Sequence, residues 1–211
     1  LFADSHNSAT YLRIWGSPED QARFKFHRTW LAYSTIPMFI LGLSLPGTVG
    51  VFVYIYLITV YWHYVAQAFG ISLIYCYKRG YYFTNMEKEI YRWFMFSMVG
   101  WTTAGFLTFR DRSPRNWFGV EIPFWGPLPD VVYNSCRFLF FFMTIAFVVV
   151  LLRKYLRDNQ MMPWQGFLII FTVGCLGLSR DVANTMFWLY VPGFFHGSQY
   201  LAVCLAYYLK E

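Results

Sequence analysis

Long runs of apolar residues, each close to the length of a membrane-spanning helix, restrict the fold of this chain more than any other feature of its sequence. A helix that crosses the ~30 Å hydrocarbon core of a bilayer needs about 20 mostly apolar residues, because each residue adds ~1.5 Å. Hydrophobic residues make up 57% of the 211 residues and charged residues only 13%, which is more apolar surface than a soluble domain of this size can bury. Six segments qualify as spans: Thr29–Pro46, Gly50–Tyr77, Ile90–Phe109, Val131–Leu152, Trp164–Ser179 and Val182–Leu209. The sequence therefore predicts an all-α integral membrane protein, a bundle of about six transmembrane helices.

The first 28 residues differ from the rest of the chain because they are largely polar. They are too polar for a secretory signal peptide and lack its apolar central region. We expect residues 1–28 to form an N-terminal amphipathic or interfacial arm, or the end of a helix that begins upstream. Residues 29–211 are expected to form one six-helix transmembrane domain, since no repeat and no linker divides them.

The positions of Lys and Arg predict the orientation of the helices, because basic residues concentrate in cytoplasmic loops. With six spans, most of the 17 basic residues fall on one side of the membrane. They are Arg13, Arg23, Lys25, Arg28, Lys78, Arg79, Lys88, Arg92, Arg153, Lys154, Arg157 and Lys210. That side also carries both ends of the chain, so we expect a multi-pass protein with both termini in the cytoplasm.

Two histidines are predicted to lie near the centre of the membrane, where a polar side chain is costly and needs a partner or a purpose. His63 is at the midpoint of the second apolar segment, and His196 is at the midpoint of the sixth. These two segments run in the same direction in the predicted topology, so the imidazoles lie at equal depth. Each histidine is followed by a glutamine about one helical turn closer to the cytoplasm, Gln67 and Gln199.

This pairing predicts a cofactor site inside the membrane, with either haem or a transition metal (iron or copper) as the bound group. Neutral imidazole is the commonest metal ligand in proteins, and its second nitrogen usually needs a hydrogen-bond partner, which Gln67, Gln199 or Tyr200 can supply. Two histidines suit the axial positions of haem, whereas a non-haem metal centre normally wants a third ligand. His6 can be that ligand only if the arm is the end of an upstream helix. A chlorin or carotenoid pigment is a further option.

A plainer role for the same histidines is also open. Each can serve as a hydrogen-bonding contact between helices, without any bound group. A proton or substrate path through the membrane is a third possibility.

Arg137 is the second costly group, because it lies well inside the fourth apolar segment. A buried guanidinium needs a carboxylate or carbonyl oxygens around it. The acidic residues at similar depth are Asp130, on the same helix face, and Asp181, at the start of the sixth segment. We expect a structural ion pair between Arg137 and one of these two residues, and a pair with Asp181 would tie the fourth helix to the sixth. The alternative is that Arg137 binds an anionic headgroup or a propionate-like carboxylate.

Several functional classes are excluded or disfavoured by what the sequence lacks. It contains no phosphate-binding glycine loop, no dinucleotide fingerprint, no metalloprotease motif and no serine-hydrolase elbow. The net charge of +6 comes from short basic clusters beside apolar runs and not from one basic face, so nucleic acid is not an expected partner.

Two functional hypotheses remain open from the sequence. The first is a membrane-embedded redox or oxygen-chemistry protein that acts on a lipid-soluble substrate or electron carrier, that is, a metal- or haem-dependent oxidoreductase. The second is a non-catalytic subunit of a larger membrane complex that binds pigment, lipid or protein partners. In either case, we expect contacts with the bilayer, with other membrane subunits and with a lipophilic small molecule.

Overall fold

The computed structural model describes residues 15, 17–26, 29–30, 32–45, 47–109, 115–117, 119–179, 197–198, 201 and 205. The chain divides into two compact units, one made of Leu1–Val53 with Leu189–Glu211 and the other of Tyr54–Trp188. Most of the sixth predicted segment lies outside the described residues.

The described part of the chain is almost entirely helical. In chain order the helices are α1 (Pro18–Arg23), α2 (Ala32–Ser44), α3 (Gly47–Lys78), α4 (Asn85–Thr108), α5 (Asp130–Asp158) and α6 (Trp164–Ser179). One hairpin of two short antiparallel strands, β1 (Asn116–Trp117) and β2 (Val120–Glu121), interrupts the connection between α4 and α5.

Two of these helices, α3 and α5, are long and apolar enough to cross a membrane. They have 32 and 29 residues and correspond to the second and fourth predicted segments. The first predicted segment, Thr29–Pro46, is represented by α2, which has only 13 residues and contains Pro37. At ~1.5 Å per residue, α2 is about 20 Å long, which is shorter than the ~30 Å hydrocarbon core.

The start of α4 is set by local hydrogen bonds and not by hydrophobicity. The side-chain oxygen of Thr84 accepts a hydrogen bond from the backbone N–H of Glu87, and the Glu87 carboxylate accepts one from the backbone N–H of Thr84. This reciprocal capping box satisfies two N–H groups that a helix end leaves without partners. It explains why α4 begins five residues before the apolar run that starts at Ile90.

Stacked aromatic rings from α4 and α5 form the core of the larger unit. The ring of Phe147 in α5 lies 4.7 Å from the ring of Tyr91 and 5.0 Å from the ring of Phe94, both in α4, and is nearly parallel to each. Phe94 also stacks on Phe140, which lies about two helical turns before Phe147 in α5. All four side chains are buried, so the α4–α5 contact is a continuous ladder of rings.

The same region brings α3 and α6 close to this ladder. The hydroxyl groups of Ser72 in α3 and Tyr91 in α4 share a short hydrogen bond in the buried interior. A Cβ atom added to Gly166 in α6 would lie 3.3 Å from the Sγ atom of Cys76 and 3.5 Å from the backbone oxygen of Ser72. A small residue in α6 therefore lets two helix backbones approach closely, which is a common way to pack helices in membranes.

The connection between α4 and α5 folds back over the end of the larger unit. The ring of Trp125 lies 4.4 Å from the ring of Tyr54 at the start of that unit, and Ile122 is completely buried. The backbone N–H of Leu128 donates to the carbonyl oxygen of Leu107. The described part of this loop thus contacts α3 through Trp125 and α4 through the backbone of Leu128.

Candidate functional site

The polar face predicted on the second apolar segment lies on the exposed side of α3. The side chains of Tyr56, Thr59 and His63 are exposed, and that of Gln67 is half-buried. The opposite side of α3 is buried and includes Tyr54, Leu57, Tyr61, Val65 and Ala68. His63 is therefore one of the exposed side chains of α3.

The next polar side chain on this face, Thr59, makes its hydrogen bonds within α3. The Thr59 hydroxyl donates to the backbone oxygens of Ile55 and Tyr56, at 2.9 and 3.2 Å, so its polarity is satisfied locally. The ring of His63 lies 6.3 Å from the ring of its neighbour Tyr64. His63 lies at the midpoint of this 32-residue apolar helix, and its imidazole has the chemistry of a metal ligand.

The remaining members of the predicted cofactor site lie outside the described residues. They are His196, Gln199, Tyr200 and His6. The described residues contain no group of three or more His, Cys, Asp or Glu side chains that could hold a metal ion. The joining of His63 and His196 in one site stays a prediction.

Arg137 is exposed on α5, with its guanidinium carbon 5.8 Å from the centre of the Tyr133 ring one turn earlier. Asp130 is exposed in the first turn of the same helix, and Asp181 lies outside the described residues. The ion pairs of the described residues include neither Arg137 nor Asp130. In this part of the chain the cation is thus held only by an aromatic face, a contact worth about 0.5–1 kcal/mol at an exposed site. The pairing with Asp181 stays a prediction.

The most elaborate polar site in the described structure surrounds Lys154, which the sequence indicates only as one of several cytoplasmic basic residues. Lys154 lies in the last turns of α5 and is 4% exposed. Its Nζ atom donates to the backbone oxygen of Tyr82 at 2.7 Å and lies 3.7 Å from a carboxylate oxygen of Glu87. A carboxylate oxygen of Asp158 is 4.0 Å away, and the ring of Tyr81 is 4.9 Å away.

This Lys154 cluster joins the end of α5 to the connection between α3 and α4. Glu87 both caps α4 and faces the ammonium group, so one carboxylate serves two helices. Burial is the main cause that raises the pKa of the Tyr81 phenol, and the nearby Cys76, Glu87 and Asp158 add to the rise. Tyr81 therefore stays neutral and offers its ring face to the cation. The cluster has the composition of a structural clamp and not of a catalytic site.

A sequence signal for part of the Lys154 cluster exists, but it is incomplete. Lys154 and Asp158 are four residues apart, and Thr84 with Glu87 matches a capping box. Nothing in the sequence links Lys154 to a carbonyl group 72 residues earlier.

Comparisons with known proteins assign no function to this chain. No protein-family model matches the chain, and the comparisons with curated proteins and with solved structures give no match either.

Proposed function

We propose that this chain is a multi-pass membrane protein in which His63 and His196 hold a haem or a transition metal, iron or copper, for redox or oxygen chemistry. Its substrate or electron carrier would be lipid-soluble. The observation that carries the proposal is the position of His63, which lies at the midpoint of a long apolar helix on its exposed side. A polar side chain at that depth is costly unless it binds a partner or a cofactor.

The low burial of the two longest helices supports placement in a membrane. In the most apolar window of α3 only 28% of the residues are buried, and in that of α5 only 17%. The core helix of a water-soluble protein is mostly buried, because exposing large apolar side chains to water costs roughly 25 cal/mol per Å². In a bilayer these apolar side chains contact lipid instead of water, so this cost does not arise. About six spans with both termini in the cytoplasm remain part of the proposal.

A contact inside the larger unit supports the predicted orientation. Lys78, Arg79 and Lys88 surround the connection between α3 and α4, whereas Arg153 and Lys154 end the apolar part of α5. The hydrogen bond from Lys154 to the Tyr82 backbone places both basic clusters at the same end of the unit. This is the arrangement expected if that end faces the cytoplasm.

His63 would supply one ligand, with Gln67 one turn below it to orient the ring. His196, with Gln199 and Tyr200, would supply the matching half from the sixth segment. Two imidazoles are sufficient for haem, and a non-haem metal would need a third ligand, for which we propose His6. A bound haem or metal would supply electron transfer or activation of oxygen at this site.

A second function, that of a non-catalytic subunit that binds pigment, lipid or a partner protein in a larger membrane complex, is favoured by the surface of α5. Large apolar side chains follow one face of this helix at alternating intervals of three and four residues, and all are exposed. They are Phe138, Phe142, Ile145, Val149, Leu152 and Leu156. This spacing is that of a helix that packs lengthwise against another helix.

Visible absorption and metal analysis of the purified protein separate the two functions. The redox proposal expects either a haem spectrum or iron or copper at about one equivalent, and His63→Ala should abolish that signal. His27→Ala is the matched control, because it removes a histidine of the N-terminal arm that has no place in the proposed site. A protein without bound metal or chromophore would contradict the redox function and leave the subunit function.

A further inference from the structure

The inner end of the larger unit carries more basic than acidic side chains. At this end the connection between α3 and α4 meets the end of α5, because the ammonium group of Lys154 donates to the backbone oxygen of Tyr82. Residues 78–92 and 153–158 contain seven Lys or Arg residues and three Asp or Glu residues. This end therefore has a positive net charge.

The three acidic side chains at this end already face basic partners within the unit. Arg92 contacts Glu89 at 3.0 Å. Arg157 donates two hydrogen bonds of 2.7 Å to the carboxylate of Asp158. The third carboxylate faces the buried ammonium group of Lys154. No carboxylate of these two segments is left to balance the other basic residues.

Four basic side chains at this end have no ion pair and no side-chain hydrogen bond among the residues that the structure describes. They are Lys78, Arg79, Lys88 and Arg153, which we call the inner rim. Lys88 is half-buried, and the other three are exposed. The excess positive charge is thus carried mainly by accessible side chains.

The inner rim lies where apolar runs meet polar sequence. Lys78 and Arg79 directly follow the apolar run that ends at Tyr77. Arg153 directly follows the run that ends at Leu152. Because these runs fill the hydrocarbon core in the proposed membrane placement, the charged residues that follow them lie at the depth of the lipid headgroups.

Two exposed tyrosines at the same end support this depth. The rings of Tyr77 and Tyr82 stack on each other with their centres 5.6 Å apart, and Tyr82 is 63% exposed. Tyrosine is enriched at the membrane–water interface, where its ring contacts apolar groups and its hydroxyl contacts water. Tyr82 is also the residue that accepts the hydrogen bond from Lys154, so the tyrosine pair belongs to the end that carries the inner rim.

We propose that the inner rim selects anionic phospholipids of the cytoplasmic leaflet through the negative charge of their headgroups. A cluster of four or more basic residues just inside a membrane-spanning helix attracts anionic lipid, because each residue near the surface contributes to the attraction. The attraction acts over a Debye length of about 10 Å, so the four side chains need only lie at the same depth and do not have to converge on one headgroup. The inference rests on the membrane placement and orientation in the proposed function but not on the cofactor site.

The test uses Trp164 as a local reporter of the surrounding lipid. Trp164 begins α6 and is exposed. It lies at the inner end, because a Cβ atom added to Gly166 would be 3.3 Å from the Sγ atom of Cys76, near the end of α3. The full-length protein is reconstituted in phosphatidylcholine vesicles that contain either brominated phosphatidylglycerol or brominated phosphatidylcholine with the same chains. Bromine quenches tryptophan on contact, and the difference between the wild type and Trp164→Phe isolates the signal of Trp164.

We expect lipid contacting Trp164 to be enriched in phosphatidylglycerol by about fivefold at low salt, the effect of one basic residue near an anionic surface. The preference should fall as salt is added, because salt screens exposed charges. Equal quenching by the two lipids at low salt, or a preference that is unchanged in 1 M salt, would overturn the proposal.

A triple variant and a matched control assign the preference to the inner rim. Combining Lys78→Gln, Arg79→Gln and Arg153→Gln should remove most of the preference. Thermal unfolding should change little, because the three side chains are exposed and lie outside the Lys154 cluster. The control combines Arg110→Gln, Arg112→Gln and Arg115→Gln, which lowers the total charge equally but in the connection between α4 and α5 at the other end of these helices. A preference that survives the first triple variant, or that the control removes equally well, would contradict the inner rim as its source.

Failure of this inference can be told apart from failure of the proposed function. His63→Ala should leave the lipid preference unchanged, because the inner rim does not include His63. A preference that persists in a protein without metal or haem contradicts only the cofactor site. Equal quenching of Trp164 in a protein that has entered the vesicles contradicts only the lipid selectivity. A chain that does not enter the vesicles overturns both, because both rest on membrane placement.

Discussion

The ammonium group of Lys154 donates a hydrogen bond to the backbone oxygen of Tyr82 across 2.7 Å, which joins the end of α5 to the turn between α3 and α4. The two residues are 72 positions apart in the chain. The contact closes the inner end of the larger unit, and the carboxylates of Glu87 and Asp158 balance its charge.

Replacing Lys154 by methionine should destabilise the protein markedly. The substitution keeps the length of the side chain but removes a charged hydrogen bond, which is worth about 1.5–3 kcal/mol, and it leaves the Tyr82 carbonyl without its donor. Thermal unfolding in detergent measures the effect. Arg153→Met is the control, since an exposed residue without a described partner should change stability by no more than about 0.5 kcal/mol. Equal effects of the two variants would show that Lys154 does not clamp the helices.

The aromatic ladder should be the most sensitive part of the core. Phe147→Ala removes a ring that stacks on both Tyr91 and Phe94, and a buried Phe→Ala change costs about 3–5 kcal/mol. Phe138→Ala removes the same group from a site on α5 that is 73% exposed, so we expect a much smaller loss. If both variants unfold at the same temperature, the α4–α5 contact is not the core of the unit.

Gly166 should tolerate only a small residue. In Gly166→Leu, the new side chain would collide with Cys76 and the backbone of Ser72, and overpacking of this kind costs about 1–3 kcal/mol. In Gly166→Ala, the nearest atom is the flexible end of Met162 at 3.0 Å, so a small shift is sufficient. Gly174→Leu on the same helix is the control, because no atom lies within 4 Å of its added Cβ. A stable Gly166→Leu variant would contradict the close approach of α3 and α6.

The first five predicted segments each correspond to a described helix, because each depends on a local pattern. The fifth predicted segment and α6 share the same bounds, Trp164–Ser179. The others differ at their ends for identifiable reasons. For example, α5 continues past Leu152 through a polar, helix-favouring stretch to Asp158, after which Asn159 adopts a left-handed conformation that ends it. Hydrophobicity cannot locate such an end, because the last turns have already left the apolar run.

The Lys154 cluster was less predictable, because burial of a polar residue depends on contacts between distant parts of the chain. Lys154 and Arg153 are adjacent and chemically similar, yet one is buried in a clamp and the other is exposed. The 100° turn between successive helix positions decides this difference, together with the location of the α3–α4 connection. For His63, in contrast, the spacing of polar residues along α3 was sufficient to identify the polar face.

The predicted pairing of Arg137 with Asp181 can be tested by charge exchange. Arg137→Asp and Asp181→Arg should each lower thermal stability in detergent, and the double variant should recover most of the loss if the two groups are in contact. Additive losses would mean that Arg137 is held by the Tyr133 ring and reaches the membrane surface without an acidic partner.

The central claim, that His63 and His196 act as one cofactor site, is tested most directly by the cofactor content of three variants. Bound iron, copper or haem per protein is measured for His63→Ala, His196→Ala and the double variant, with His27→Ala as the control. Ligands of one centre act as a unit, so we predict that each single change abolishes the signal, that the double change does no further harm, and that the control keeps it. A signal that survives either single change would contradict a shared site, and each histidine would then be only a polar contact between helices.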